Sequence, residues 1–463
     1  MSTELHHASL ADAARMLRVG TVTATDLVEE CLGRIESHDG DLNTYITVLA
    51  DEARAAAAAA DAEIAKGYWR GLLHGIPVAL KDIYDTAGIL TTCHSKLFEN
   101  RVPQADCDSW ERLNGAGAIL LGKTSTHEFA TGGPSFDLPW PPARNPWNPD
   151  HTPAGSSSGS GAAVAAGMAY MAMGSDTGGS IRSPAGFCGL AGFKPSYGRL
   201  SRRGIFPLSW TQDHAGPLAR TTEDCALVMQ VTAGHDPKDP TSVDAPVPDF
   251  ISTLNRPIEG MRIGWCRDWY EGETDASVEQ AVASMAETLQ SLGAEIVPIT
   301  LPPLADFHAC GRIIILSEAF SIHRRWIAEQ PEMYGEFFRL RCRLGAFIGA
   351  DEYLNALRWR RELVAAMADG MADVDLVLTA NQYGPADTFI ASQQDYHFFG
   401  KSSLTMPANV SGQPALTVRA GFSESGLPVA GQLIGHQFAD ADVLRAGHQF
   451  EKARPELRTW PML

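Results

Sequence analysis

The chain has 463 residues, and 44% of them are hydrophobic, which is ample material for a large folded core. Its 43 glycines and 28 prolines fall well short of the share found in disordered or collagen-like chains. The formal net charge of −18 disfavours binding to nucleic acid or to an anionic membrane surface, because phosphate groups need cationic partners.

The eight cysteines are scattered along the chain and form no CxxC pair, which argues against a zinc ribbon or a thioredoxin-type site. In a chain of this length they are expected to be buried thiols rather than a disulfide framework. No basic segment followed by an apolar stretch opens the sequence, and the longest weakly polar stretch, 161–174, is too short to span a bilayer. These features predict a cytoplasmic protein without a membrane anchor.

Helix signals stand near the beginning of the chain. Ser9 and Thr23 each have an acidic residue three positions later, which is the pattern of a capped helix start. Residues 52–66 include six consecutive alanines and predict a further helix that ends at Gly67.

Strand and helix signals then alternate. Short apolar runs predict buried strands at 76–80, with Lys81 at the exit, and at 118–121 and 171–173. A Gly/Ser loop is predicted over 154–161, before a helix. This alternation predicts an α/β fold with a large mixed sheet that is covered by helices on both faces.

The second half of the chain shows the same two patterns. A helical stripe follows Asp275 and leads to a predicted strand over 294–299. Residues 305–370 are predicted to be largely helical, and late strands are predicted over 407–418 and 427–434.

Residues 117–124 fit the letters GxxxxGK[ST] of a phosphate-binding loop, so a nucleotide-binding ATPase is a rival class. A phosphate loop needs an exposed, flexible segment between its two glycines. Here that segment is Ala-Ile-Leu-Leu, which favours a buried strand. We therefore expect a strand that ends at Gly122, with Lys123 on a solvated edge, and no phosphate site.

Three segments are informative together. They read GIPVALKD from Gly75, GSSSGSGAAVAAG from Gly155 and GSDTGGSIR from Gly174. Their order and spacing resemble the amidase signature family of serine amidohydrolases, and the resemblance runs from residue 8 to residue 452. It implies a single amidase domain over 1–463. The signature core is expected at about 70–220, a more variable substrate-side region at about 225–395, and a return to the core at 400–452.

The resemblance places the family's nucleophile on Ser180, its bridging serine, held after a cis peptide bond, on Ser156, and its base on Lys81. It implies cleavage of a C–N bond through an acyl-enzyme, without a metal or an organic cofactor. The chemistry agrees, because a serine hydroxyl is a poor nucleophile until a base takes its proton. A lysine amine can be that base if burial keeps it neutral, and Lys81 leaves an apolar strand.

The glycine-rich segment just before Ser180 suits an oxyanion hole. The backbone N–H groups of Thr177, Gly178, Gly179 and Ser180 are the expected donors, each contributing roughly 2.7–4 kcal/mol to acyl transfer. Side chains at 178 and 179 would crowd the substrate. Supporting roles are implied for three neighbouring residues, namely Ser157, Asp176 and Arg182.

The substrate pocket is predicted more loosely. Thr131, Gly132 and Gly133 lie where the family shapes the acyl site, and Phe206 and Trp210 lie in loops near the signature segments. These aromatic residues favour an aryl amide, an anilide or a carbamate as the small-molecule substrate.

The alternative within the family is the glutamine-using component of the tRNA-dependent amidotransferase, which needs partner chains. That branch carries an acidic residue shortly before a segment like 405–409, but residues 400–404 of this chain contain none. The Tyr-Asp-Gly-Val-Arg-Tyr stretch of that branch is also absent. A stand-alone hydrolase is therefore favoured, a membrane-bound lipid amidase is disfavoured, and a homodimer is left open.

Overall fold

The structure is a computed structural model that describes residues 5–394 and 400–463. Residues 1–4 and 395–399 lie outside the described residues. The second of these ranges includes residue 395, the predicted end of the variable region. The strands are β1 (Tyr45–Val48), β2 (Pro77–Lys81), β3 (Ile119–Thr124), β4 (Met171–Asp176), β5 (Ala191–Lys194), β6 (His214–Ala219), β7 (Arg262–Trp265), β8 (Glu295–Pro298), β9 (Leu376–Ala380), β10 (Ala415–Phe422) and β11 (Pro428–Gly435). The helices are α1 (Leu10–Val19), α2 (Ala24–Leu42), α3 (Ala50–Ala65), α4 (Asp108–Gly115), α5 (Ser158–Ala165), α6 (Arg182–Cys188), α7 (Thr222–Thr232), α8 (Phe250–Leu254), α9 (Ala276–Ser291), α10 (Leu304–Glu329), α11 (Glu336–Arg343), α12 (Ala350–Gly370), α13 (Phe389–Gln394), α14 (Met406–Ser411) and α15 (Asp440–Ala453).

All of these strands join in one mixed sheet, in the order β1-β3-β2-β4-β6-β5-β10-β11-β9-β7-β8. Parallel pairing joins β2 to β3 and β4, and it joins β7 to β8 and β9, whereas the other neighbours are antiparallel. Successive residues of β11 face opposite sides of the sheet, since Ala430 packs against Gly186 of α6 and Gly431 packs against Met285 of α9. The predicted α/β fold is thus confirmed.

The predicted helix starts are present. The Ser9 hydroxyl accepts a hydrogen bond from the Asp12 amide at 3.0 Å, and Thr23 does the same for the Asp26 amide at 3.0 Å. In both cases the acidic side chain reaches back to the cap, which completes a capping box. Asp275 caps α9, as predicted.

Two predicted boundaries are wrong, because a proline and several small residues form the first turns of helices in this structure. The predicted strand over 407–418 begins with α14 instead, since Pro407 is tolerated in the first turn of a helix and Gly412, with φ 75°, ends it. The predicted Gly/Ser loop already becomes helix α5 at Ser158. Gly159 packs there so closely on the backbone of Thr44 that a Cβ would lie 2.4 Å from its carbonyl oxygen.

Lys123 is fully buried, so its predicted position on a solvated edge is wrong. Strand β3 runs on through this residue, and β1 covers the edge by pairing with it. The Lys123 Nζ donates to Thr91 Oγ1 at 2.7 Å and to the Tyr84 carbonyl oxygen, and it lies 3.9 Å from the Asp82 carboxylate. A lysine with these partners is part of the core and has no phosphate loop around it.

Residues 5–394 and 400–463 include no helix that combines the length and the apolar character needed to cross a membrane. All eight cysteines are buried and unpaired, as predicted.

We expect Lys123→Met to lower the free energy of unfolding by about 3 kcal/mol, because it keeps the volume but leaves the Asp82 carboxylate and the Tyr84 carbonyl without their buried partner. Urea unfolding followed by circular dichroism measures the change. The exposed Lys66→Met is the matched control and should leave the transition in place. Equal stability of the two variants would contradict a buried role for Lys123.

Candidate active site

The C-terminal ends of two neighbouring parallel strands, β2 and β4, bring the predicted residues together. Lys81 is the last residue of β2, and Ser175 is the second-last residue of β4, which pairs with β2. Ser180 follows β4 through a short loop, and Ser156 precedes α5. Ser156 and Ser180 line the same cavity.

The Lys81 amine is held away from water between two hydroxyl groups. Its side chain is fully buried, and its Nζ donates to Ser156 Oγ at 2.7 Å and to Ser175 Oγ at 2.8 Å. Burial lowers the pKa of Lys81 to about 7, although the negative charges of Asp213 and Asp176 oppose this change. A large fraction of the amine is therefore neutral near neutral pH.

The backbone of Ser156 is fixed from several sides. The Gly155–Ser156 peptide bond is cis. The Ser156 carbonyl oxygen accepts from Thr126 Oγ1 at 2.8 Å and from the His127 amide at 3.0 Å. The His127 ring lies against Gly155 so closely that a Cβ there would be 2.1 Å from the ring, so residue 155 has no room for a side chain.

Ser180 is half-buried, and its carbonyl oxygen accepts from the Ser157 amide at 3.3 Å. The Ser157 hydroxyl in turn accepts from the Ser175 amide at 3.2 Å. Ser157, for which a supporting role was predicted, therefore connects the loop of Ser180 to β4. The Ser180 hydroxyl makes no hydrogen bond to any residue in 5–394 or 400–463. Catalytic hydrogen bonds are often long until a substrate binds, so this geometry is compatible with a nucleophile at rest.

Asp176 and Arg182, for which the resemblance implied supporting roles, form a buried ion pair beside the loop. The Arg182 Nη2 donates to Asp176 Oδ1 at 2.9 Å, and Asn409 Nδ2 donates to the same oxygen at 2.8 Å. The Asp176 carboxylate also accepts from the Ile181 amide at 3.1 Å. Burial alone would raise the pKa of Asp176, but the Arg182 guanidinium outweighs it and holds this pKa well below its ordinary value.

One of the N–H groups predicted to donate in the oxyanion hole already makes a hydrogen bond within the protein. The Gly179 N–H donates to Asp176 Oδ1 at 2.8 Å, so it points into the supporting network and does not face the substrate in this structure. The N–H groups of Thr177, Gly178 and Ser180 have no hydrogen-bond partner within the described part of the chain. These three amides remain the candidates for an oxyanion hole.

The orientation of these amides is set by side chains from distant segments. The Gly178 carbonyl oxygen accepts from Thr405 Oγ1 at 2.6 Å and from Ser403 Oγ at 3.3 Å. The Thr177 hydroxyl donates to Asp213 Oδ1 at 2.6 Å. The loop is thus held on both sides, which leaves its amides little freedom to turn away.

The open space beside Ser180 is a cavity of about 440 Å³, and its lining includes Thr131, Gly132 and Gly133. Phe206 and Trp210 do not line this cavity. They line a neighbouring one of about 270 Å³, and Trp210 is 57% exposed. Their place in loops near the signature segments did not specify which side of the loops faces Ser180.

Sequence reasoning missed Ser175, which lies inside a quoted segment but received no role. The signal would have been the pairing of β2 with β4, which sets Ser175 beside the end of β2, and no local pattern gives that pairing. Among the residues that the structure describes, no group of three or more His, Cys, Asp or Glu side chains is placed to hold a metal ion.

Several known proteins are similar to this chain in sequence or in fold. A sequence profile of the amidase family matches residues 26–444. An amidase of Pseudomonas putida is 39% identical over 462 residues, which covers 97% of this chain and 97% of that protein. One component of the glutamyl-tRNA(Gln) amidotransferase of Synechococcus sp. (strain WH7803) is 37% identical over 479 residues, which covers 98% of each.

Among solved structures, a bacterial aryl acylamidase of the amidase signature family superimposes with a TM-score of 0.89 at 25% identity, covering 98% of both chains. The profile match and the full-length relatives show the family, and the solved structure has the same fold. The chain therefore belongs to the amidase signature family and is a hydrolase that acts on carbon–nitrogen bonds.

Proposed function

We propose that this chain is a stand-alone amidohydrolase that cleaves the C–N bond of a small amide through an acyl-enzyme on Ser180. One observation carries the proposal. A buried lysine amine whose pKa lies near 7 donates to Ser156 Oγ at 2.7 Å, and Ser156 shares a cavity with Ser180.

Acylation begins with proton transfer along the two serines. Neutral Lys81 takes the proton of Ser156, which takes the proton of Ser180 as its Oγ attacks the carbonyl carbon. The carbonyl oxygen becomes an oxyanion. The N–H groups of Thr177, Gly178 and Ser180 stabilise its charge, because they are oriented before the reaction starts.

Collapse of this intermediate breaks the C–N bond. The leaving nitrogen takes a proton back from Lys81 through Ser156, and the acyl group stays on Ser180 as an ester. A water molecule then attacks the ester carbon and gives its proton to the same relay. The second oxyanion collapses to the carboxylic acid and restores the Ser180 hydroxyl.

Aryl amides, anilides and carbamates remain the proposed substrate types. The support no longer comes from Phe206 and Trp210, which line the neighbouring cavity. It comes from Phe337, which lines the cavity of Ser180, and from the structural similarity to an aryl acylamidase. A cavity of about 440 Å³ is large enough for a substrate with one aromatic ring.

The second candidate is the glutamine-amidase component of a tRNA-dependent amidotransferase, which the 37% identity to such a component over 98% of both chains favours. Activity of the purified single chain separates the two functions. A stand-alone hydrolase turns over simple amides and anilides without partners. Activity on glutamine that appears only with added partner chains would decide for the amidotransferase.

We expect Ser180→Ala to reduce kcat on every hydrolysed amide, anilide, carbamate or ester of a substrate panel by at least about 10³-fold, because the nucleophile is lost. Steady-state assays of the purified variants measure it. Ser183→Ala, a half-buried serine of α6 that does not line the cavity, is the matched control and should keep wild-type kcat. Retained turnover by the Ser180→Ala variant would contradict the acyl-enzyme proposal.

We expect kcat/KM to rise about tenfold per pH unit as the pH increases toward about 7 and then to level off, because only the neutral Lys81 amine accepts a proton. A pH–rate profile over the range in which the protein stays folded measures this. Lys81→Met should remove the base and lower kcat about 10²–10⁴-fold. An unchanged rate in Lys81→Met would contradict the proposed relay.

A further inference from the structure

The Asp213 carboxylate joins two segments of the site. Its Oδ1 accepts from the Thr177 hydroxyl at 2.6 Å, and its Oδ2 accepts from the amides of Leu208 at 2.9 Å and Ser209 at 3.0 Å. All three partners are donors, which matches an ionised carboxylate because that group only accepts. Asp213 therefore connects its own loop to the oxyanion loop, residues 177–180.

The pairing of β4 with β6 sets up this contact. Asp176, the last residue of β4, pairs antiparallel with His214, the first residue of β6. Thr177 directly follows β4, and Asp213 directly precedes β6, so the two residues come next to each other where the strands end. The hydrogen bond between their side chains thus continues the pairing beyond the last backbone partners.

The loop that carries Asp213 is anchored to α10 on its other side. The buried Glu318 carboxylate accepts from the Thr211 amide at 3.1 Å and from Thr211 Oγ1 at 3.0 Å. Gln212 Nε2 donates to a backbone carbonyl oxygen of α10 at 3.1 Å. Because these contacts hold the loop against a long helix, the Asp213 carboxylate is a fixed point to which the Thr177 side chain is attached.

This attachment bears on one of the three candidate oxyanion donors. The Thr177 N–H has no hydrogen-bond partner within residues 5–394 and 400–463, so it is free to face a substrate oxygen. An oxyanion hole works because its donors are oriented before charge develops, and a donor that turns away stabilises less of that charge. The hydroxyl bond to Asp213 limits how far the Thr177 residue turns.

Asp213 also acts on the Lys81 amine. Ser175, which accepts from Lys81 Nζ at 2.8 Å, lines the same cavity of about 270 Å³ as Asp213. The negative charges of Asp213 and Asp176 both raise the pKa of Lys81 against the effect of burial, and Asp213 has the larger effect. The charge of Asp176 is paired with the Arg182 guanidinium at 2.9 Å.

The other titratable groups around the two residues are neutral near pH 7. Next to the amine, burial raises the pKa of the Cys93 thiol and lowers the pKa of the His127 ring to about 3. Next to Asp213, burial raises the pKa of the Tyr197 hydroxyl and lowers the pKa of the His214 ring. None of these groups therefore adds a charge that would replace the one on Asp213.

The charged form of Asp213 is itself supported. Burial raises the pKa of Asp213, whereas the Arg202 guanidinium, the Thr177 hydroxyl and the two backbone amides lower it. Lys81 becomes an ammonium as it takes up the proton during acylation. A carboxylate near that amine therefore stabilises a charge that develops in the reaction.

We propose that Asp213 is a positioning residue of the hydrolytic reaction, whose carboxylate orients the Thr177 amide and whose negative charge stabilises the ammonium that forms on Lys81. This inference rests on the proposed function, since Asp213 acts through two residues of that mechanism.

Two variants separate the two roles in pH–rate profiles of the best substrate of the panel. Asp213→Asn removes the charge but keeps the contacts, because its oxygen accepts from the two amides and its NH₂ donates to the Thr177 hydroxyl. We expect the midpoint of the acid limb of kcat/KM to move to lower pH by about 0.5–1 pH unit, since the amine loses an anionic neighbour. The plateau should fall several-fold, because a weaker base drives proton transfer less.

Thr177→Val does the reverse, since it keeps the charge and removes the hydroxyl contact. We expect kcat to fall about tenfold at every pH while the midpoint stays in place. Thr177→Ser, which restores the hydroxyl, should recover most of that loss. A wild-type kcat in Thr177→Val overturns the inference.

The matched control is Asp239→Asn. Asp239 also accepts from a threonine hydroxyl and two amides, namely Thr241 Oγ1 at 2.7 Å, the Thr241 amide at 2.9 Å and the Arg202 amide at 2.7 Å. It lines the same cavity of about 270 Å³ but is not among the charges that act on Lys81. Its variant should keep the wild-type midpoint and plateau. Thermal unfolding at the wild-type temperature confirms that each variant is folded.

Nuclear magnetic resonance of the labelled Lys81 amine makes the result independent of turnover. A lower titration midpoint in Asp213→Asn than in wild-type protein supports the inference. If the wild-type amine titrates near pH 10.4, the proposed function fails, and the comparison of the two midpoints still decides on the charge of Asp213. Equal midpoints in the two proteins overturn the inference and leave the proposed hydrolase intact.

Discussion

The proposed active site depends on the removal of one amine, that of Lys81, from water. In bulk solvent a lysine side chain stays protonated at neutral pH and has no capacity to accept a proton from a serine. Lys81 ends a strand inside a wide mixed sheet, where it is fully buried and contacts only the hydroxyls of Ser156 and Ser175 as hydrogen-bond partners among the described residues. Strand β2 is paired along both edges, with β3 and β4, and all of its residues are buried, which keeps water away from the amine.

A second constraint holds the loop of Ser180, the proposed nucleophile, in place. Arg182 binds Asp176 on one side, and its Nη1 donates to Gln432 Oε1 at 2.6 Å and to the Thr405 carbonyl oxygen at 2.8 Å. This single guanidinium joins β4, α6, the start of α14 and β11. Removing one partner of such a buried pair typically costs about 3–5 kcal/mol. The last sixty or so residues of the chain, remote in sequence, are thereby part of the site's support.

Local patterns predicted most elements, because caps and apolar runs are short-range signals, whereas the family resemblance of three contiguous segments singled out Lys81, Ser156 and Ser180. What they missed depends on pairing between distant segments. Ser175 gains its role from the neighbouring strand, and Lys123 is buried because β1 covers its edge. The Gly179 amide is taken by Asp176 through a turn whose geometry no spacing rule specifies. The placement of Trp210 likewise follows from loop packing rather than from proximity in sequence.

The most direct test of this account is the titration of the Lys81 amine itself. Nuclear magnetic resonance of protein labelled at the lysine side chains, with Lys81→Met to assign the signal, reports the protonation state of that group without any substrate. The account predicts a titration near pH 7, well below the ordinary lysine pKa of about 10.4. An amine that stays protonated until its pKa of about 10.4 would contradict the account, because no neutral base would then be present to activate Ser180.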